Sequence, residues 1–409
     1  MRELIESDPL DFLSSEVLSV LQLCTINEHL LPNLKTLKLW EVREPFIPFI
    51  PLFLSPRTTS IRIHFESDLP KLVVASTVSS LPKLCPELQE IHLWCPPRDP
   101  TVAAAVSGMV LATNRNTLQQ FHTNILLTEE ASEVIFKLSS LRSLSVVTEG
   151  ETSLHSASLP NLTHLEIICD NEGDWPRLFH GAAFGKLDSV KFYTGSEEIG
   201  DFLGAFERVA LSSSVQNTLS KFYLSAPCLW SPKYSSLLPF TQLVDLDIEF
   251  SCEDGCSSMV DDNIVIDLSR AMPKLVALRL GEDPCGESAM GVTAKGLTAL
   301  ALHCPDLEYL CVHFQVASLS TPPTRSSGTV RNTEPAGSWT DCCLLLVVGE
   351  IVVPEESVLM VALSLLRIFP RIRGISFINK GWRKVDKAIR ISKRIADCSS
   401  KHPPHHTLK

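Results

Sequence analysis

Apolar residues recur along the chain in one short phrase, L-x-x-L-x-ϕ, in which ϕ is any apolar residue. Clear copies begin at Leu34, Leu88, Leu118, Leu141, Leu162, Leu187, Leu219, Leu243, Leu275, Leu307 and Ile372. Weaker copies begin at Thr58 and Cys342, and successive copies are separated by 21 to 35 residues. Alternating apolar positions over so short a run are typical of a β-strand. The chain between two copies is long enough to form a crossover helix before the next parallel strand.

Apolar residues at helical spacing follow most copies of the phrase. They predict helices over 72–81, 102–112, 129–138, 197–211, 264–271, 292–303, 355–369 and 383–396. A strand and a helix repeated with a period of roughly 20–30 residues are the signature of leucine-rich repeats. We therefore expect an α/β leucine-rich-repeat solenoid of about thirteen units. Its curved parallel sheet is expected on the concave side and its helices on the convex side.

Departures from the period divide the chain into segments. We expect an incomplete, helical N-terminal repeat or cap at 1–30, the repeat array at 31–317, a flexible inserted loop at 318–338, degenerate final repeats with a basic cap helix at 339–398, and a disordered tail at 399–409. The loop is expected because its segment is rich in Ser, Thr, Pro and Gly. The proline-rich run 45–51 predicts an apolar connector that is neither regular helix nor central strand.

Composition narrows the class of protein. No run of eighteen apolar residues occurs, and the acidic start lacks the pattern of a secretory signal, so neither a membrane span nor secretion is expected. The 13 cysteines are scattered through the repeats, which favours buried thiols in the cytoplasm or nucleus over a disulfide framework.

Charge is unevenly distributed along the chain. Of 36 basic and 47 acidic residues, twelve basic and two acidic ones lie in 367–409, which leaves 24 basic and 45 acidic residues in 1–366. An array this acidic is not expected to bind nucleic acid. The basic helix near the C-terminus has three interpretations: a terminal cap of the repeat stack, a patch for nuclear import or for an anionic surface, or a partner helix.

Motifs for catalysis or cofactor binding are not found in the chain. It has no phosphate-binding Gly-rich loop, G-x-S-x-G elbow or H-E-x-x-H. Cys252 and Cys256 have a C-x-x-x-C spacing, but without a second Cys or His pair they are interpreted as incidental thiols in a loop. The histidines within 402–406 are interpreted in the same way, as part of a disordered tail.

Paired carboxylates occur at 261–262 and at Asp247 with Glu249. Two carboxylates can act as acid and base in glycoside hydrolysis, but that chemistry needs a sugar cleft that no other feature of the chain predicts. We interpret these residues as solvated surface. We expect neither an enzyme nor a bound metal ion or cofactor.

Strand alternation identifies the residues that face a partner. Successive side chains on a strand point to opposite faces, so burying the leucines places the residues between them on the concave face. The partner-binding surface is expected to include Lys38, Trp40, His92, Trp94, His122, Glu166, Lys191, Tyr193, Tyr223, Asp247, Glu249, Arg279 and His313. The same rule exposes Asn124, Ser145, Val147, Ile168, Ser225 and Cys311. Large aromatic residues are typical anchors for protein partners. The alternative interpretation is that they only pack on neighbouring strands and loops.

The repeats are similar to the leucine-rich-repeat region of the F-box protein families of mushroom-forming fungi. The similarity covers most of 30–398. It is carried by LPNLKTLKLW at 31–40, FLSPRTT at 53–59, NRNTL at 114–118, LPNL at 159–162 and PEESVLM at 354–360. HCPDL at 303–307 and CPEL at 85–88 also resemble the cysteine-containing repeats of F-box adaptors.

This resemblance implies a substrate receptor of an SCF-type ubiquitin ligase, in which an F-box binds the Skp adaptor and the repeats hold a target protein. Residues 1–30 do not show the L-P-x-E-ϕ start of an F-box, so Skp binding is implied only if the full gene supplies one. The alternative is an orphan repeat scaffold, or a truncated non-functional relative, without a link to ubiquitin ligases. No nucleic acid and no membrane is expected as a partner.

Overall fold

A computed structural model describes most of the chain between Glu3 and Lys401. The described residues are 3–6, 15–24, 29–95, 99–113, 116–148, 158–169, 182–195, 202–212, 214–227, 233–251, 260–281, 291–320, 344–348, 353–377 and 380–401. They divide into two compact units, Met1–Leu219 and Ser220–Lys409. Each unit combines parallel strands with helices, so the fold is mixed α/β.

Most strands in the first unit form where the repeat phrase occurs; β1, β7 and β9 do not coincide with a copy of it. They are β1 (Glu3–Glu6), β2 (Thr36–Val42), β3 (Ser60–Phe65), β4 (Glu90–Trp94), β5 (Gln120–Leu126), β6 (Ser143–Thr148), β7 (Ser158–Leu159), β8 (His164–Cys169), β9 (Ala183–Phe184) and β10 (Ser189–Thr194). The sheet order in this unit is β1-β2-β3-β4-β5-β6-β8-β10, and β7 pairs with β9 in a separate small sheet. All of these pairings are parallel.

The second unit continues the same plan of parallel strands. Its strands are β11 (Lys221–Pro227), β12 (Asp245–Ser251), β13 (Ala277–Leu280), β14 (Tyr309–Val312), β15 (Leu345–Val348) and β16 (Gly374–Phe377), in that order in the sheet. Leu246, Leu278 and Leu310 are register partners on successive strands. The second leucine of each phrase therefore stacks on the second leucine of the next one.

Helices occupy most of the described chain between strands. They are α1 (Ser15–Cys24), α2 (Ile50–Phe53), α3 (Lys71–Leu84), α4 (Pro100–Ala112), α5 (Glu129–Ile135), α6 (Phe202–Ser212), α7 (Asp262–Ala271), α8 (Ala294–His303), α9 (Val316–Ser320), α10 (Val358–Ile368) and α11 (Lys380–Lys401). Short 3-10 helices cover Glu44–Phe49, Ser214–Asn217, Tyr234–Leu237 and Glu355–Ser357. Asp99 and Thr128 cap α4 and α5, each accepting hydrogen bonds from backbone N–H groups of the first turn.

The core of each unit lies between its strands and helices. In the first unit, the ring of Phe192 on β10 packs edge-on against Phe202 and Phe206 of α6, with centroids 4.8 Å and 5.6 Å away. In the second unit, Phe314 contacts Trp382 of α11 in the same geometry at 5.6 Å. Trp382 is fully buried, so the apolar side of the basic helix α11 covers core residues.

Two local elements differ from the sequence-based expectation. Residues 3–6, expected to be helical, form the strand β1, and Leu4 pairs with Leu37 of β2. Pairing with an available strand outweighs the small helix propensity of so short a segment. The proline-rich run was expected to avoid regular helix, yet Glu44–Phe49 is a 3-10 helix and Ile50–Phe53 is one α-helical turn. Pro45 and Pro51 lie in the first turns of these helices, where the N–H that proline lacks has no partner, and Pro48 lies inside the 3-10 helix.

The predicted ends of two segments also shift. Helix α9 extends to Ser320, three residues into the expected flexible loop, and α11 extends to Lys401, three residues into the expected tail. The remaining parts of both segments, 321–338 and 402–409, lie outside the described residues. The degenerate phrase near Cys342 still yields the strand β15. No helix within the described ranges has both the length and the apolar character needed to cross a bilayer.

Truncating an inward phrase position should destabilise the protein strongly. Ile91 is fully buried between its register partners Ile61 and Phe121. We expect Ile91→Ala to lower the free energy of unfolding by about 2–5 kcal/mol, because the lost contacts leave a cavity. Leu72→Ala is the matched control: Leu72 on α3 is 75% exposed, and its loss should change stability by less than about 0.5 kcal/mol. Urea denaturation measures both, and equal losses would contradict the account of the core.

Candidate functional site

Outward side chains in the first unit line up across the sheet because its strands pair in register. One such line, which we call the central row, consists of Lys38, Arg62, His92, His122, Ser145, Glu166 and Lys191. Neighbouring strands are about 4.8 Å apart, so the residues of this row are direct neighbours in space. Five of the seven were predicted as partner-binding residues from alternation alone.

An aromatic row lies two residues further along the first strands and consists of Trp40, His64 and Trp94. The ring of His64 meets both tryptophans edge to face, with centroids 6.3 Å apart in each case. Such aromatic pairs contribute about 0.5–1.5 kcal/mol each beyond the burial of their surface. Trp40 is nevertheless 48% exposed and Trp94 47% exposed. Much of both indole surfaces therefore remains open to solvent.

A β-bulge in β2 positions Trp40. The register with β3 shifts between Leu39 and Val42, and Glu41 adopts a φ of 51°. Positive φ is uncommon for a residue other than glycine and is a feature of some bulges. The extra residue lets Trp40 and Glu41 both face solvent while Val42 returns to the core.

The central and aromatic rows border one groove. Its volume is about 390 Å³, and it is lined by Leu39, Trp40, Arg62, Ile63, His64, His92, Leu93, Trp94, His122, Ser145 and Glu166. Five predicted partner-binding residues are brought together here: Trp40, His92, Trp94, His122 and Glu166. Lys38 neighbours the groove through its register partner Arg62. Lys191 and Tyr193 lie on the same sheet but do not line the groove.

His92 and His122 form a stacked pair in the floor of the groove. Their ring centroids are 4.0 Å apart with an interplanar angle of 11°, and His122 Nε2 lies 2.9 Å from Ser143 Oγ. Burial, followed by the positive charge of Arg62, lowers the pKa of His92 to about 4. Burial, followed by the neighbouring His92, lowers the pKa of His122 to about 3. Both imidazoles are therefore uncharged near neutral pH.

Glu90 on β4 partly neutralises Arg62. Its carboxylate accepts hydrogen bonds from Ser60 Oγ at 2.8 Å and from Gln120 Nε2 at 3.1 Å. The same carboxylate lies 3.6 Å from Arg62 Nη2. This separation is long for a charge-assisted hydrogen bond, which is typically 2.7–2.9 Å. The carboxylate is thus shared among three partners.

The predicted residues of the second unit form a separate ionic network. Arg279 Nη1 donates to Asp247 Oδ2 at 2.8 Å and to Glu249 Oε1 at 3.0 Å. Tyr223 Oη donates to Glu249 Oε2 at 2.5 Å, and Arg279 Nη2 donates to Tyr309 Oη at 3.0 Å. Asp247 and Glu249 were expected to be solvated surface residues, and this expectation was wrong. They are half-buried and paired with an arginine on the next strand.

The other carboxylate pair, 261–262, connects elements of the second unit. Asp261 caps α7 by accepting from the backbone N–H of Ile264. Asp262 accepts from the backbone N–H and hydroxyl of Thr293 and from the N–H of Gly296, at the start of α8. The expectation of a solvated pair was wrong here, because these carboxylates accept hydrogen bonds from backbone N–H groups at the N-termini of helices.

Several residues that alternation places outward serve the structure instead. Ser145 and Cys311 are each only 2% exposed, against the expectation, because short side chains lie below their longer register neighbours. Asn124 bonds to both the N–H and the carbonyl oxygen of Cys95, which extends the β4–β5 pairing by a side chain. His313 is half-buried beside Gly291, and burial lowers the pKa of its imidazole.

Two candidate motifs cannot be placed, because Cys252, Cys256 and the histidines of 402–406 lie outside the described residues. Within the described ranges, no three His, Cys, Asp or Glu side chains come together in a way that could hold a metal ion. Cys85 and Cys95 are buried thiols, and burial raises their pKa values to about 11 and about 12. Neither thiol is activated as a nucleophile near neutral pH.

Sequence reasoning missed three residues of these surfaces: Arg62, His64 and Tyr309. Arg62 and His64 belong to the weak copy of the phrase that begins at Thr58, in which the apolar pattern is less clear. Tyr309 directly precedes the buried Leu310 and faces outward by the same rule. The signal that could have found all three is the alternation itself, applied to every copy.

Comparison with known proteins adds little to this geometry. No protein-family model and no curated protein matches the sequence. Among solved structures, the chain is similar to a structure described as the Rad7 and Elc1 complex in yeast. The TM-score is 0.40 and the identity 14%, over 64% of this chain and 74% of that chain. Similarity at this level assigns no function or partner to the present chain.

The stacked histidines should make stability depend on pH. An unfolded histidine has a pKa of about 6.5, whereas the folded pKa of His92 is about 4. Between these values the unfolded chain binds protons that the folded chain does not, so stability is full above pH 6.5 and is lost as the pH falls. We expect His92→Gln/His122→Gln to flatten the rise of unfolding free energy between pH 4 and pH 6.5, measured by urea denaturation.

The matched control for this pH dependence is His29→Gln, because His29 is exposed. Its profile should follow that of the unsubstituted protein. A double variant whose pH profile is as steep as that of the control would contradict the assignment of the acid sensitivity to the stacked pair.

Removing Arg279 should destabilise the second unit. Arg279→Met leaves Asp247 and Glu249 without the guanidinium that neutralises them. We expect a loss of about 1–3 kcal/mol in the free energy of unfolding, because an uncompensated, half-buried charge is costly. Arg270→Met is the control, since Arg270 on α7 is exposed. If urea denaturation shows the same small change for both variants, the network does not stabilise the fold.

Proposed function

We propose that this chain is a protein-recognition module of the leucine-rich-repeat type, and that the groove in the first unit holds its partner. In this proposal the strands form the concave side of a solenoid and the helices its convex side. The observation that carries it is the pair Trp40 and Trp94, two half-exposed indoles on one side of the groove. Tryptophan is enriched among the residues that dominate protein interfaces.

Packing on neighbouring strands does not account for these tryptophans by itself. Each contacts His64 at its edge, yet nearly half of each side chain remains accessible. Exposed aromatic surface concentrated next to a groove is typical of interaction sites in soluble proteins. The ionic residues of the second unit differ, because Arg279 already satisfies Asp247 and Glu249. We therefore assign recognition to the first unit rather than to all thirteen predicted residues.

The cellular role that we propose is the holding of a target protein for an SCF-type ubiquitin ligase. Its support is the resemblance of the repeat phrases to those of F-box proteins. Attachment to the Skp adaptor is part of this proposal only if an F-box exists in the full gene. A repeat scaffold without a ligase link is the alternative, and co-purification of Skp with the full-length gene product separates the two. The buried thiols Cys85 and Cys95 agree with a location in the cytoplasm or nucleus.

Photo-cross-linking from the groove tests the recognition function. A photoreactive phenylalanine analogue at position 94 should cross-link one partner reproducibly in cells, whereas the same analogue at position 72 on α3 should not. With that partner purified, Trp94→Ala should weaken binding by about 30-fold, because truncating a tryptophan that anchors an interface costs about 2 kcal/mol. Leu72→Ala should leave the affinity unchanged.

Loss of stability must be separated from loss of contact in this experiment. Trp94 is half-exposed, so Trp94→Ala should keep the urea midpoint of the unsubstituted protein to within the shift expected for the loss of its one aromatic contact, with His64. A partner that cross-links equally from positions 72 and 94, or one that binds Trp94→Ala with full affinity, would contradict the proposed groove.

A further inference from the structure

The charges at the two ends of the central row differ, and the difference identifies the chemistry of the partner. We propose that the groove binds an acidic, extended segment of a protein. In this segment an Asp or Glu carboxylate pairs with Lys38 and Arg62, and a large apolar side chain lies against Trp40 and Trp94. This inference rests on the proposed recognition function and names the class of segment that the groove accepts.

The first argument is the cation pair near one end of the sheet, where the only further register partner in the first unit is the uncharged residue Ile5 of β1. Lys38 and Arg62 are register partners on β2 and β3, so two positive side chains stand side by side. Like charges directly opposite each other destabilise a sheet. Glu90 lies 3.6 Å from Arg62 and is shared with Ser60 and Gln120, while Lys38 has no ion pair with any residue in the described ranges. One positive charge therefore remains uncompensated.

At the other end of the row the formal charges cancel, although only the acidic one of the two residues, Glu166, lines the groove. Glu166 on β8 and Lys191 on β10 are register partners of opposite charge. Between the two ends lie the uncharged His92, His122 and Ser145. The only net charge along the central row is thus positive and is located beside the aromatic row. An occupant with a negative charge at this end complements the groove, and a basic occupant is repelled.

The spacing of the two rows sets the spacing within the segment. Lys38 and Trp40 are two residues apart on β2, which is about 6.6 Å along a strand. In an extended segment, side chains two positions apart also point to the same side and are separated by the same distance. The acidic and apolar residues of the partner are therefore expected at positions i and i+2.

A nucleic acid could offer the same two chemistries, with phosphates for the cations and bases for the indoles. The groove favours a peptide because only two cations are available to an occupant, Arg62 in the lining and Lys38 beside it, whereas nucleic-acid binding draws its affinity from many phosphate contacts. The formal net charge of the chain, −11, also opposes a polyanion at long range. A short carboxylate-bearing segment needs only the local charge.

Selection from a randomised peptide-display library on the immobilised full chain tests the inference. We expect enriched peptides to carry Asp or Glu two positions from Trp, Phe, Leu or Ile. A synthetic peptide with an enriched sequence should bind more weakly as the salt concentration is raised, because exposed charge pairs are screened. The same peptide with Lys in place of its acidic residue should bind about tenfold more weakly.

A charge reversal in the protein supplies the matched test. Lys38→Glu should weaken the acidic peptide about tenfold, and it should recover binding of the Lys-substituted peptide. The fold should tolerate this change, because the new carboxylate lies opposite Arg62. Lys191→Glu makes the same change in charge at the far end of the row and should alter the affinity less than about twofold.

The outcomes separate this inference from the function on which it rests. If the selected peptides bind Trp94→Ala more weakly but show no preference for acidic residues, or if they bind Lys38→Glu with unchanged affinity, the inference is overturned. Either result leaves recognition by the groove intact. A library that yields no binder overturns the inference, while cross-linking from position 94 decides the function independently. A fluorescent single-stranded oligonucleotide is the control for nucleic acid. If it binds as tightly as the acidic peptide, and Lys38→Glu abolishes this binding, the assignment to a protein segment is overturned.

Discussion

In-register pairing of parallel strands is the constraint on which the rest of the molecule depends. Each strand must bury every second side chain, because a shift of one residue would turn the leucines of its phrase to solvent. When neighbouring strands satisfy this condition together, the intervening side chains have to form straight rows across the sheet. The central row is such a consequence, and it brings Arg62, His92 and His122 together from strands that lie about 30 residues apart in sequence.

The two units share the same strand geometry but differ in how their outward side chains are paired. In the second unit, opposite charges meet in the outward positions, so Arg279 joins Asp247 and Glu249 and the tyrosine hydroxyls complete the network. In the first unit, the row places cation beside cation on β2 and β3 and imidazole beside imidazole on β4 and β5, and opposite charges meet only at Glu166 and Lys191. The first arrangement satisfies its own polar groups. The second leaves charge and aromatic surface available, which is why the recognition surface is assigned to the first unit.

How far the sequence predicts the structure follows from the same geometry. Strand positions and inward residues were predictable at the copies of the phrase, since a pattern of period two over a short run has one simple explanation; the strand β1, outside the phrase, was not. Details that depend on neighbours were not. The stacking of His92 on His122 depends on register, the outward turn of Trp40 on a bulge, and the burial of Ser145 on the size of the side chains beside it. None of these is encoded in a single copy of the phrase.

The most direct test of the central claim is oxidative footprinting of the unsubstituted full chain, with and without the purified partner that cross-linking identifies. If the partner occupies the groove, the labelling of Trp40 and Trp94 falls together when it is bound, and Met360 on α10, which is 36% exposed, is labelled equally in both samples. Protection of Met360 with unchanged labelling of the two tryptophans would place the partner elsewhere and contradict the account.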